Sequence, residues 1–217
     1  MTRSGRTAAI LSLLGTMAAA ACTAPKPVVV DFSETPRDYL SRDYADVYQR
    51  WTRHGLARLD VESALEAWVT LKGWDFREAY IEHYAAVYAL PEADKAALRA
   101  AQLETFHTAY EFHVTAQSAN YKWNDLEKRS SSWRVTLIDG LGHELAPEPI
   151  RLEKLPEPYE VEFFPAKGPF TRTYAIRFLR AGADGKPVDF AGASSGSVTL
   201  RIASPVGRIE LTWQSSS

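Results

Sequence analysis

Glu104, His107 and Glu111 come closest to a chemical pattern in this chain. On a continuous helix their i, i+3, i+7 spacing places them within an arc of roughly 60°. Carboxylate and imidazole on one helical stripe suit a metal ion or acid–base work. Helical bundles build paired metal sites from Glu-x-x-His on two helices. A second Glu-x-x-His is missing here, and Glu78, Glu82 and His83 have a different spacing. The strip therefore reads as a metal or acid–base site or as a polar boundary beside Leu103, Phe106, Tyr110 and Val114. A second candidate is aromatic. Tyr80, Tyr84 and Tyr88 recur every fourth residue, and with Trp68 they suit the lining of a small-ligand pocket or the core of a bundle.

Other motifs are missing. The sequence has no Gly-x-Gly-x-x-Gly, no phosphate-binding Gly-Lys-Ser/Thr loop and no His-Glu-x-x-His. Ala193-Ser194-Ser195-Gly196-Ser197 reads as a polar loop, and Asp184 and Asp189 have no evident partner. The expectation is a non-enzyme with no cofactor.

The elements that must position these residues divide into two halves. Thr35-Pro36-Arg37-Asp38 has the signature of a helix start. Tyr44, Tyr48 and Trp51 then share one face, and Gly55 ends the helix. Asp60 opens a second helix carrying Leu65, Trp68, Val69 and Leu71, Asp75 a third, and Pro91 a fourth that runs to about Gln117. Short turns between them predict an antiparallel helical bundle over 36–129. After Ser130 the pattern alternates with period two. Trp133, Val135 and Leu137 begin it; Tyr159, Val161 and Phe163, then Tyr174, Ile176 and Phe178, continue it. Val198, Leu200 and Ile202 precede a Ser204-Pro205-Val206-Gly207 turn, and Ile209, Leu211 and Trp213 close the chain. Short strands at this density predict an antiparallel β-sandwich over 131–214, immunoglobulin-like in architecture alone. The fold class expected is thus α+β, bundle first and sandwich second.

The chain's start supplies its address. Arg3 and Arg6 precede the apolar run Ala8–Ala21, the layout of a signal peptide over 1–21. The run is too short to span a bilayer. Leu13-Leu14-Gly15-Thr16-Met17-Ala18-Ala19-Ala20-Ala21-Cys22 resembles the leader of a bacterial lipoprotein precursor. The resemblance covers about a tenth of the chain. It implies that Cys22, the sole cysteine, is acylated (with palmitate or a similar chain) and becomes the mature N-terminus. It also implies a lipidated tether over 22–35 and, with Thr23 following, a place on the outer membrane. Val28-Val29-Val30 suits a short edge strand within that tether. The 25 basic and 27 acidic residues, less Arg3 and Arg6, leave the mature chain at −4. That balance is unsuited to a nucleic-acid binder. The partners expected are the membrane, through the lipid anchor, and an envelope protein. The role expected is structural or interaction-based, with small-ligand binding and a metal-dependent enzyme as alternatives.

Overall fold

A computed structural model of the chain describes residues 28–165, 170–180 and 196–215. The leader, Cys22, Asp184, Asp189 and the Ser194–Ser195 part of the polar loop lie outside them. Two five-stranded sheets organise the described residues. β1 (Val29–Val30), β5 (Arg134–Asp139), β6 (Glu144–Leu145), β9 (Ser197–Ser204) and β10 (Gly207–Ser215) form the first, in the order β1-β10-β9-β5-β6. β2 (Thr52–Leu59), β3 (Glu62–Leu71), β4 (Ala109–Gln117), β7 (Arg151–Glu153) and β8 (Arg172–Leu179) form the second, in the order β2-β3-β4-β8-β7. All pairings are antiparallel except β1 with β10. The helices are α1 (Tyr44–Trp51), α2 (Trp74–Val87), α3 (Glu92–Thr108) and α4 (Glu157–Phe163).

This corrects the expected bundle followed by a sandwich. Three strands, β2, β3 and β4, arise from the segment read as helical, and both sheets take strands from either side of Ser130. The reason lies in shared periodicity. Residues i and i+4 face the same way on a helix and on a strand. Leu65 and Val69, or Tyr110 and Val114, therefore satisfy both readings. The intervening Ala67 and Phe112 decide the matter: both are buried on the same strand faces. β2 and β3 join through Asp60, whose φ of 55° places it in the left-handed region that hairpin turns require. In the other direction, the alternation Tyr159, Val161, Phe163 is not a strand. Those residues lie on α4, opened by Pro158 near its first position and by Glu157 and Glu160 in its first turn.

The two sheets share one core. Val69, Phe112, Val114, Tyr174 and Ile176 face Val135, Leu137, Leu200, Ile202 and Trp213 in a single buried cluster. Phe112 meets the Trp213 ring at 5.5 Å. β2 and β10 approach closely at the corner between sheets. A Cβ on Gly55 would lie 2.4 Å from Ile209 Cγ2, so only glycine fits there. The Trp213 ring N–H closes the corner by donating to the Trp51 carbonyl at 2.8 Å. The far face of the first sheet is polar: Arg201 pairs with Glu210 and Glu144 across exposed strands. The far face of the second sheet is covered. Phe164 stacks on His113 at 3.6 Å, and Glu160 accepts a bond from Thr173 Oγ1 at 2.7 Å. α4 thus caps this sheet, and α1 and α2 pack beside it through Tyr48–Phe164 and Phe76–Phe164 contacts.

Candidate functional site

A cleft of about 330 Å³ opens where α1, α2 and the end of α4 meet. α1 supplies Tyr44 and Tyr48, and Ala45 and Gln49, two i, i+4 pairs on adjoining stripes. Ser41 and Arg42 come from the 3-10 turn Ser41–Asp43 that leads into α1. His83 comes from α2, and Glu162 and Pro165 from α4 and its exit.

The polar wall is connected. Ser41 Oγ lies 2.9 Å from His83 Nδ1, and His83 Nε2 lies 2.9 Å from Glu162 Oε1. The imidazole is held between aromatic rings. Tyr44 stacks on it at 4.7 Å and 9°, and Phe163 meets it edge-on at 5.3 Å. Tyr44 is itself fixed, its hydroxyl donating to the Phe163 carbonyl at 2.6 Å. Burial pushes the Tyr44 phenol well above its ordinary pKa, so it stays a neutral donor.

The turn carrying Ser41 is anchored from behind. Leu40 N–H donates to Asp43 Oδ2 at 2.8 Å. Asp75 is 2% exposed in the first turn of α2. It gathers the Tyr39 hydroxyl, the Trp51 ring N–H at 2.8 Å and the Arg37 guanidinium at 3.2 Å. Burial, then the bond to Asp75, pushes the Tyr39 phenol up to about 12. A carboxylate at a helix N-terminus with these donors is favourably placed. It ties the approach segment to α2, the helix that carries His83.

The strip seen in the sequence is not brought together. α3 ends at Thr108, so Glu104 and His107 lie on a helix and Glu111 on β4. Glu104 is exposed, and His107 Nε2 is 2.6 Å from Glu34. Glu111 is half-buried against Lys72 Nζ at 2.7 Å and Arg77 at 3.1 Å. Burial alone would raise its pKa, but the charges of Lys72 and Arg77 and their hydrogen bonds hold it down at about 2. No group of three or more metal-ligating side chains occurs among the described residues.

The aromatic residues fall in three places. Tyr80, Tyr84 and Tyr88 pack around Phe163 at 5.4, 5.6 and 6.3 Å and do not line the 330 Å³ cleft. Tyr80 bonds Tyr159 through their hydroxyls at 2.9 Å and borders a smaller cavity of about 130 Å³ with Lys72 and Gln102. Trp68 lies on β3, stacked on His54 at 4.9 Å.

Sequence reasoning missed Ser41, His83 and Glu162 as a group because they are 42 and 79 residues apart and Glu162 was placed on a strand. Pro158 with Glu157 and Glu160 was the signal that would have put Glu162 on a helix. Compared with protein-family models, curated proteins and solved structures, the chain matches none.

Proposed function

We propose that this chain is an exported envelope protein, tethered by lipid on Cys22, whose folded part binds a small molecule in the α1–α2–α4 cleft. The cleft itself carries the reading. Its volume of about 330 Å³ falls at the lower end of small-molecule sites. Its floor is aromatic and aliphatic, and Ser41, Arg42, Gln49, His83 and Glu162 converge at its rim. That combination suits a ligand with an apolar body and one hydrogen-bonding or anionic head. A purely structural or adaptor role rested on missing motifs, whereas the cleft is a positive feature. The metal-enzyme alternative is withdrawn, since Glu111 is committed to Lys72 and Arg77.

8-Anilinonaphthalene-1-sulfonate tests this directly, because it joins an apolar body to an anion. The chain with Cys22→Ser is titrated beside the same chain carrying Ala45→Phe. Ala45 is exposed on the cleft wall, so the larger ring fills the space without entering the core. Saturable binding at one site that Ala45→Phe removes is the expected result. Equal binding by both proteins overturns the assignment. For the tether, acyl-modified Cys22 at the N-terminus by mass spectrometry is expected, with release from membranes in Cys22→Ser. A membrane-bound Cys22→Ser protein refutes it.

A further inference from the structure

We propose that the same cleft is an acyl-transfer site, with Ser41 as nucleophile, His83 as its base and Glu162 as the residue orienting that base. The proposal rests on reading the cleft as a ligand site and assigns its substrate class: small carboxylic esters with an apolar acyl group.

An ionised carboxylate only accepts hydrogen bonds. With Glu162 Oε1 at 2.9 Å, His83 Nε2 must carry the hydrogen. In the neutral imidazole the lone pair then sits on Nδ1, which faces Ser41 Oγ at 2.9 Å. Ser41 is thereby the donor, and its hydroxyl proton points at a free base. Nucleophile, base and orienting carboxylate within hydrogen-bond reach are the arrangement that activates a serine. The two ring nitrogens exchange the roles they most often take, and the proton path is unaffected by that exchange.

Rigidity supports the assignment. The Tyr44 face and the Phe163 edge fix the ring plane, and α2 fixes its origin. His83 is 15% exposed, so it is shielded on its aromatic sides yet open to the cleft. Arg42 lines the same cleft, and its guanidinium reaches Asp43 only at 4.0 Å. Its charge is available to a developing oxyanion, and the amino end of the helical segment adds to that field. The apolar lining of Tyr44, Ala45, Tyr48 and Pro165 suits the acyl chain.

The chemistry balances without any further reagent than water. Ser41 Oγ attacks the ester carbonyl carbon as its proton passes to His83 Nδ1. The carbonyl re-forms, the bond to the alcohol oxygen breaks, and His83 returns the proton to the departing alkoxide. Water then attacks the acyl-serine, giving up its proton to His83. Collapse releases the carboxylic acid and restores the Ser41 hydroxyl. Ester and water become acid and alcohol.

The test uses the Cys22→Ser chain with p-nitrophenyl esters from acetate to decanoate and with a fluorophosphonate, which bonds phosphorus to an activated serine oxygen as fluoride leaves. Labelling at Ser41, read by peptide mass spectrometry, and ester hydrolysis above the buffer rate are expected. Ser41→Ala should abolish both. His83→Gln should slow hydrolysis about 10²-fold or more, the scale of general-base catalysis. Glu162→Gln should lower the rate and move its pH profile. Circular dichroism confirms that each variant is folded. Absence of labelling, or hydrolysis unchanged in Ser41→Ala, overturns the proposal. If the sulfonate dye still binds in the cleft under that outcome, the binding assignment stands and only the serine chemistry falls. If the dye is also excluded, both fall.

Discussion

Glu111→Gln converts the inferred electrostatics of the second sheet into a measurable free energy. The substitution keeps the side chain's size but removes the charge facing Lys72 and Arg77. Arg77 is 1% exposed and also donates to the Lys72 carbonyl at 2.9 Å, so it cannot turn to water. Lowering a glutamate from 4.5 to about 2 corresponds to about 3 kcal/mol at ~1.4 kcal/mol per pH unit. Loss of one partner from a buried pair is typically about 3–5 kcal/mol, the same range. The sign follows from the lowered folded pKa. The contribution is complete above about 4.5 and fades as pH falls toward 2. Urea unfolding followed by tryptophan fluorescence should therefore show Glu111→Gln less stable by about 3 kcal/mol at pH 7. The gap between the two proteins should narrow steadily below pH 4.5, as the carboxyl protonates in the unfolded chain before it does in the folded one. A gap below about 1 kcal/mol at pH 7, the value of an exposed pair, would refute the reasoning. A gap independent of pH would refute it equally.

Gly73→Ala should destabilise by about 1–3 kcal/mol or more, because a Cβ there falls 2.2 Å from the Trp51 ring. That ring is fully buried and bonded to Asp75, so it has nowhere to move; an unchanged melting temperature would contradict this packing. Phe163→Ala should cost about 3–5 kcal/mol and weaken dye binding in the cleft, since the same ring packs the tyrosine cluster and braces His83. Tyr80→Phe should cost only about 1 kcal/mol by thermal unfolding, the value of its single bond to Tyr159.

The strands of the carboxyl-terminal half were legible because their inward residues are bulky and their outward ones polar. Val198, Leu200 and Ile202 alternate with Thr199 and Arg201, and the pattern admits no helix. The amino-terminal strands were hidden by their composition. Leu65, Ala67 and Leu71 are helix formers, and Ala64 and Thr70 are also buried because both faces of β3 are covered. A strand covered on both sides loses the polar half of its alternation. α2 was legible from its tyrosine spacing and its acidic first turn. The cleft was not, because it depends on three elements meeting, and the helix that brings Glu162 there reads locally as a strand.

The pairing of β1 with β10 sets a leash length. Val29 is in register with Gln214, and the Val28 carbonyl accepts from Arg53 at 3.0 Å, so the chain is gripped from residue 28 onward. Only six chain steps separate Val28 from Cys22. At full extension they reach about 20 Å. If Cys22 carries lipid, as proposed, that leash would keep the edge of the first sheet within about that distance of the bilayer.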